Sequence, residues 1–123
     1  MKDKDIHIHF ESGAVPKEGP SAGIAITTCL ISLFKDIIVT NDISMTGEIT
    51  LRGNVLPVGG LKEKIIASKV NNIKKVFVAV GNKKDVEELP KQIKEDLEIA
   101  FIDNYYEIFD EVFKNHKKNI VEL

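Results

Sequence analysis

The sequence predicts a mixed α/β (α+β) fold, a single domain with helices packed on a sheet, and three observations carry that expectation. From residue 60 onward, short apolar runs such as "KKVFVAV" and "LEIAFI" alternate with helix-length segments. Between Pro20 and about Phe34 lies an apolar stretch too long for a strand, polar beyond Ser21 only at Thr27, Thr28 and Ser32. No linker or internal repeat divides the 123 residues, so 1–123 reads as one domain, with about 115–123 a solvated tail. A domain of this size buries roughly two-thirds of its unfolded surface on folding.

Taken in order, Ile6, Ile8 and Phe10 alternate with His7 and His9, the period of a strand with one buried face. Residues 11–19 form a loop rich in glycine, proline and charge. Pro20 to about Phe34 is expected to be a largely buried helix, with Pro20 suited to its first turn. Ile43 to Thr50 reads as a strand, and Arg52-Gly53-Asn54 turns it into "VLPV" to make a hairpin. Gly59-Gly60 releases a second helix, Leu61 to about Val70, followed by the buried strand "KKVFVAV". Residues 83–96 hold one or two short helices around Pro90, with Lys83, Lys84, Asp85, Glu87 and Glu88 on solvated faces. After the strand "LEIAFI", Tyr105 to Lys114 is a closing amphipathic helix whose Tyr105, Tyr106 and Phe109 are packing residues.

Composition excludes several classes. With 43% apolar and 29% charged residues, a net charge of −2 and a pI near 5.9, there is no electrostatic case for nucleic acid or anionic membrane. Arg52 is the only arginine, and lysine is the poorer residue for bidentate phosphate or base recognition. The single cysteine, Cys29, excludes an intrachain disulfide and is expected to be a buried, inert thiol. No apolar run approaches the roughly 18 residues of a membrane span. The opening "MKDKDIHIHF" enters a strand pattern too abruptly for a signal or transit peptide, which suggests a fragment of a longer chain. His7 and His9 lack an obvious third ligand, so no metal is expected.

Ser21 stands at the junction "GPSAG", where a polar loop runs into the apolar helix. The ordinary role of a serine there is to cap the helix. A second role is open because Gly19, Ala22 and Gly23 let another backbone approach closely, and first-turn N–H groups can stabilise developing negative charge. A serine nucleophile needs a base. His116 lies in the tail, and nothing places His7 or His9 beside Ser21. A lysine can serve instead if it is neutral at working pH. Lowering its pKa from about 10.4 by about three pH units needs roughly 4 kcal/mol from desolvation and positive neighbours. "GGLKEKIIASK" offers Lys62, Lys64 and Lys69. On a helical wheel Lys64 lies between Leu61 and Ala67, beside Ser68, whereas Lys62 lies between Ile65 and Ile66; periodicity does not choose between them.

Together, "GAVPKEGPSAG" and "MTGEITLRGNVLPVGGLKEK" resemble the C-terminal proteolytic domain of the Lon proteases, ATP-dependent Ser–Lys proteases of bacteria and mitochondria. The similarity runs from about Ile6 to Phe113. The resemblance implies an α/β fold like the second domain of ribosomal protein S5. It implies Ser21 as nucleophile, Lys64 as general base and Thr46 as the hydroxyl that bonds the lysine, with Glu18, Gly19 and Pro20 shaping the loop beside the serine. The family usually has aspartate where Glu18 stands, and "PEG" where this chain has "ESG" at residues 11–13.

The resemblance further implies an unfolded protein or peptide as substrate, homo-hexameric rings in the parent protein, and an upstream ATPase module that uses ATP and Mg²⁺. No G-x-x-x-x-G-K-[ST] phosphate loop occurs here, so no cofactor is expected in this fragment. "NYYEIFDEVF" resembles the mitochondrial branch and "TGEITLRG" the bacterial one, implying the mitochondrial matrix or the bacterial cytoplasm, with the balance toward the matrix. Two alternatives stand beside this reading. In a phosphate- or nucleotide-binding module, Ser21 would be a ligand hydroxyl, but the second motif would then lack a purpose. In a non-catalytic scaffold of the same fold, the presence of both Ser21 and Lys64 would be unexplained.

Overall fold

The computed structural model describes residues 5–9 and 20–114. A single 3-10 turn, Pro20–Ala22, leads into α1 (Gly23–Lys35). There follow β1 (Ile43–Thr46), β2 (Glu48–Ile49), β3 (Val55–Leu56) and α2 (Leu61–Val70). Next come β4 (Lys75–Ala79), a 3-10 turn Val80–Asn82, and the short helices α3 (Lys83–Glu87) and α4 (Lys91–Lys94). The last elements are β5 (Glu98–Ile102), α5 (Tyr105–Phe109) and a π-helical segment, Asp110–Lys114.

β4 is the centre of a parallel sheet ordered β1-β4-β5. Ile43 pairs with Lys75 and Thr46 with Val78 on one side, and Lys75 with Glu98 and Ala79 with Ile102 on the other. A parallel strand covered on both faces should be apolar along its buried length, and β4 is so from Val76 to Ala79, with only Lys75 at its start charged. Phe77 and Ala79 join Ile24, Ile102, Tyr105 and Ile108 in one core, on the side of α1 and α5. Val76 and Val78 join Leu61, Ile65 and Val86 in a second core, on the side of α2 and α3. The expected α/β architecture is therefore present, as three layers.

Several expectations are corrected. Residues 5–9 form no strand, and Ile6 and Ile8 are 45% and 44% exposed. Alternation specifies a face, but a strand also needs a hydrogen-bonding neighbour, and none is paired with this segment among the described residues. Phe10, the loop 11–19 and the tail 115–123 lie outside the described residues. The first helix is amphipathic rather than largely buried: Ile24 and Thr28 face the core, Leu33 is 72% exposed, and Cys29 is exposed. The strand predicted over Ile43–Thr50 breaks at Gly47 into β1 and β2, which belong to different sheets. β2 then pairs antiparallel with β3, as the hairpin reading requires. The closing helix is α-helical only to Phe109, and Tyr106 is 73% exposed while Tyr105 is buried.

Glycine is required at the break. A Cβ on Gly47 would sit 2.7 Å from Val55 Cγ1 and 3.1 Å from Ile24 Cδ1, both core side chains. One on Gly23 would sit 3.1 Å from the Ile49 backbone nitrogen. The start of α1 and the β1–β2 junction thus touch backbone to backbone. The Gly47 N–H donates to the Ser21 carbonyl (2.9 Å) and the Ile24 N–H to the Gly47 carbonyl (3.2 Å).

Candidate active site

Ser21, Thr46 and Lys64 are far apart in sequence and meet in one cleft of about 340 Å³, whose walls include Ala25, Met45 and Ala67. Each is delivered by a different element. Ser21 lies in the 3-10 turn and is held there through its carbonyl, as described above. It does not cap α1, because Ala22 occupies the cap position and no side chain caps that end. Thr46 closes β1 and is buried. Alternation along β1 sends Ile43 and Met45 toward the α1 side of the sheet and leaves Ser44 and Thr46 on the α2 side.

The structure separates the three lysines that periodicity left equivalent. Lys64 is half-buried and reaches the cleft. Lys62 is exposed and lines a different depression, with Gly59, Gly60 and Glu88. Lys69 is also exposed, and its ammonium donates to the Gln92 carbonyl at α4. The helix is aimed from its N-terminus: Gly60 adopts a left-handed conformation (φ 66°) that turns the chain into α2. Buried Asn82 holds the preceding segment, accepting from the Val58 N–H (3.0 Å) and donating to the Val58 carbonyl (2.9 Å). Leu61 and Ile65 then anchor α2 on β4.

Lys64 Nζ donates to Thr46 Oγ1 (3.2 Å), and Thr46 Oγ1 donates to the Ser21 carbonyl (3.3 Å). A threonine hydroxyl has one proton. With that proton directed at Ser21, Thr46 meets the lysine only as an acceptor. The amine therefore faces a neutral hydroxyl, on a chain of bonds that ends at the residue bearing the serine.

Pro20 begins the 3-10 turn, while Glu18 and Gly19 lie outside the described residues. His7 and His9 are exposed, and among the described residues no group of three or more His, Cys, Asp or Glu side chains could hold a metal ion. Nor is any described helix long and apolar enough to cross a membrane. Sequence reasoning passed over Ser44 and did not use Ser68, although both line the cleft. Their signal was present in the spacing: Ser44 is two residues from Thr46 on a strand, and Ser68 four from Lys64 on a helix. A second cleft of about 390 Å³, between the β2–β3 hairpin and α5, contains neither serine nor lysine among its lining residues.

The fold and cleft define a small α/β domain that gathers a serine, a threonine and a lysine at the edge of a parallel sheet. The chain belongs to the family of Lon protease (S16) C-terminal proteolytic domains, whose family model matches residues 1–115. It is 58% identical over 106 residues to the Lon protease of Aquifex aeolicus, covering 85% of this chain and 13% of that protein. To the Lon protease of Mycoplasma mycoides it is 47% identical over 116 residues, covering 94% of this chain and 15% of that protein. To the peroxisomal Lon protease homolog 2 of Xenopus laevis it is 48% identical over 113 residues, 92% of this chain and 13% of that protein. The family resemblance drawn from the two motifs is borne out. The chain spans only 13% to 15% of the length of these relatives.

Proposed function

We propose that this domain is the peptide-cleaving part of an ATP-dependent serine protease, with Ser21 as nucleophile and Lys64 as general base. The observation that carries the reading is the bond chain Lys64–Thr46–Ser21 inside one cleft. A lysine gripped through one N–H keeps its lone pair free for another partner when neutral. The Ser21 hydroxyl, on the same wall system, is that partner in this scheme.

The steps follow from these roles. Lys64 takes the Ser21 proton as the serine oxygen bonds to a peptide carbonyl carbon, and the carbonyl electron pair moves onto its oxygen. Collapse of the tetrahedral species breaks the C–N bond, and the lysine ammonium gives its proton to the departing amine. An ester to Ser21 remains. Water attacks that ester with Lys64 again as base, and the serine oxygen leaves and recovers a proton from the lysine. Thr46 holds the amine nitrogen throughout and forms no bond to the substrate in this scheme.

We infer an unfolded polypeptide as the substrate. ATP and Mg²⁺ are assigned to an ATPase module of the parent protein, and a homo-hexamer is the assembly expected of that parent. The bacterial relatives favour the bacterial cytoplasm as compartment, with an organelle matrix the alternative. The test is Ser21→Ala and Lys64→Ala in the full-length protein, assayed on a casein-type unfolded substrate and for ATP hydrolysis. Loss of proteolysis with ATP hydrolysis retained is expected of both. Normal proteolysis by either variant removes the assignment, and Lys62→Ala should cleave as the unaltered protein does.

A further inference from the structure

Thr46 and Lys64 are one contact of a pair. Two residues earlier on β1, Ser44 Oγ lies 2.8 Å from Ser68 Oγ, which is four residues later on α2. Ser68 is 8% exposed and its hydroxyl donates to the Lys64 carbonyl (3.0 Å). That bond uses the Ser68 proton, so in the serine pair Ser44 is the donor and Ser68 the acceptor. A step of two along a strand and a step of four along a helix each preserve the face. β1 and α2 are therefore joined by two parallel polar rungs, Thr46–Lys64 and Ser44–Ser68.

We propose that the Ser44–Ser68 rung is a positioning device for Lys64, fixing the rotation and slide of α2 against β1 so that the amine meets the proton of Ser21. The inference rests on the reading of Lys64 as general base. The apolar side of α2, Leu61 and Ile65 against Val76 and Val78, supplies most of the attraction, but burial of apolar surface is non-directional. It holds the helix on the sheet without selecting a rotation to within a few tenths of an ångström. Directional hydroxyl bonds do select one. Because Ser68 also grips the Lys64 carbonyl, the restraint acts on the backbone of the very residue that carries the base. A displacement of about 1 Å at a reacting group can cost on the order of 100-fold in rate.

The test uses the full-length protein with a fluorogenic oligopeptide, and rates are normalised to folded protein. In Ser44→Ala and Ser68→Ala, kcat should fall roughly ten-fold with KM unchanged, since both hydroxyl protons of the rung are already committed to partners within the protein. The double variant should be no worse than Ser68→Ala alone, which already loses both the rung and the bond to the Lys64 carbonyl. Ser68→Thr, which restores a hydroxyl, should recover most of the rate. Ser32→Ala serves as a control: it deletes a hydroxyl bond to the Ile37 carbonyl at the end of α1, and should lower stability while leaving kcat unchanged. The inference is overturned alone if the alanine variants keep the unaltered kcat, or change KM instead, while Lys64→Ala is inert. Full activity of Lys64→Ala would remove the base assignment and this inference with it.

Discussion

Replacing Thr46 by valine tests the site most directly, because it removes an oxygen and little else. The side chain keeps its branched shape at a buried position, and two hydrogen bonds are lost, from Lys64 Nζ (3.2 Å) and to the Ser21 carbonyl (3.3 Å). Both are long for their type, so their net worth to folding is small. The Ser21 carbonyl keeps the Gly47 N–H at 2.9 Å, and half-buried Lys64 can turn to water. The expected loss of stability is thus about 1 kcal/mol. The effect on rate should be larger. A hydrogen bond to a charged group contributes about 1.5–3 kcal/mol, and if that is expressed only when the lysine accepts its proton, kcat falls roughly 10- to 100-fold. Thr46→Ser keeps the hydroxyl and should stay within about five-fold of the unaltered rate. Steady-state peptide hydrolysis by the full-length protein, paired with thermal unfolding, measures both quantities. The reasoning is refuted if the valine variant turns over normally, or if serine proves as damaging as valine.

Other outcomes follow from the same geometry. Gly47→Ala forces a methyl to within 2.7 Å of Val55 Cγ1; overpacking of this kind costs about 1–3 kcal/mol, visible in denaturant unfolding, and displaces Ser21 so that peptide turnover falls as well. In Tyr105→Phe the hydroxyl bond to Thr28 (2.6 Å) is lost, but the Thr28 hydroxyl still donates to the Ile24 carbonyl (2.8 Å). The cost should therefore be about 1 kcal/mol by the same measurement, and a loss of several times that would show the α1–α5 contact is misread. At alkaline pH the protein should lose stability through Lys75. Burial pulls its ammonium down, but the hydrogen bonds and charges of Glu111 (2.5 Å) and Glu98 (2.7 Å) outweigh it and hold the group above its ordinary 10.5. A raised folded-state value contributes fully below the unfolded one and is lost as pH climbs through the folded one. Glu111→Gln should accordingly flatten the fall in unfolding free energy as pH rises above the ordinary lysine value of 10.5.

The elements most readable in advance were those whose pattern arises within one segment. "KKVFVAV" is apolar at successive positions because β4 is covered on both faces, and Leu61–Val70 became a helix within the expected bounds. Readings that depended on distant partners fared differently. Ile6 and Ile8 alternate like a strand, yet no neighbour pairs with them among the described residues. Ile43–Thr50 looked continuous because nothing local reveals that Gly47 must let Ile24 and Val55 close over it. The buried Asn82, which ties down the segment before α2, carries no local mark at all.

For the site, the sequence by itself determined which residue types were available: a serine among small neighbours, a threonine before a glycine, and three lysines on one helix. It also carried enough of both motifs to identify the family. The family resemblance pointed to Lys64 among those lysines, but the physical reason for that choice lay in the tertiary structure. Helical periodicity assigns angles around an axis, but the direction from which β1 and the serine turn approach is set only when α2 docks on β4. Once Leu61 and Ile65 are buried there, Lys64 alone among the three reaches the Thr46 hydroxyl, while Lys62 and Lys69 are turned elsewhere.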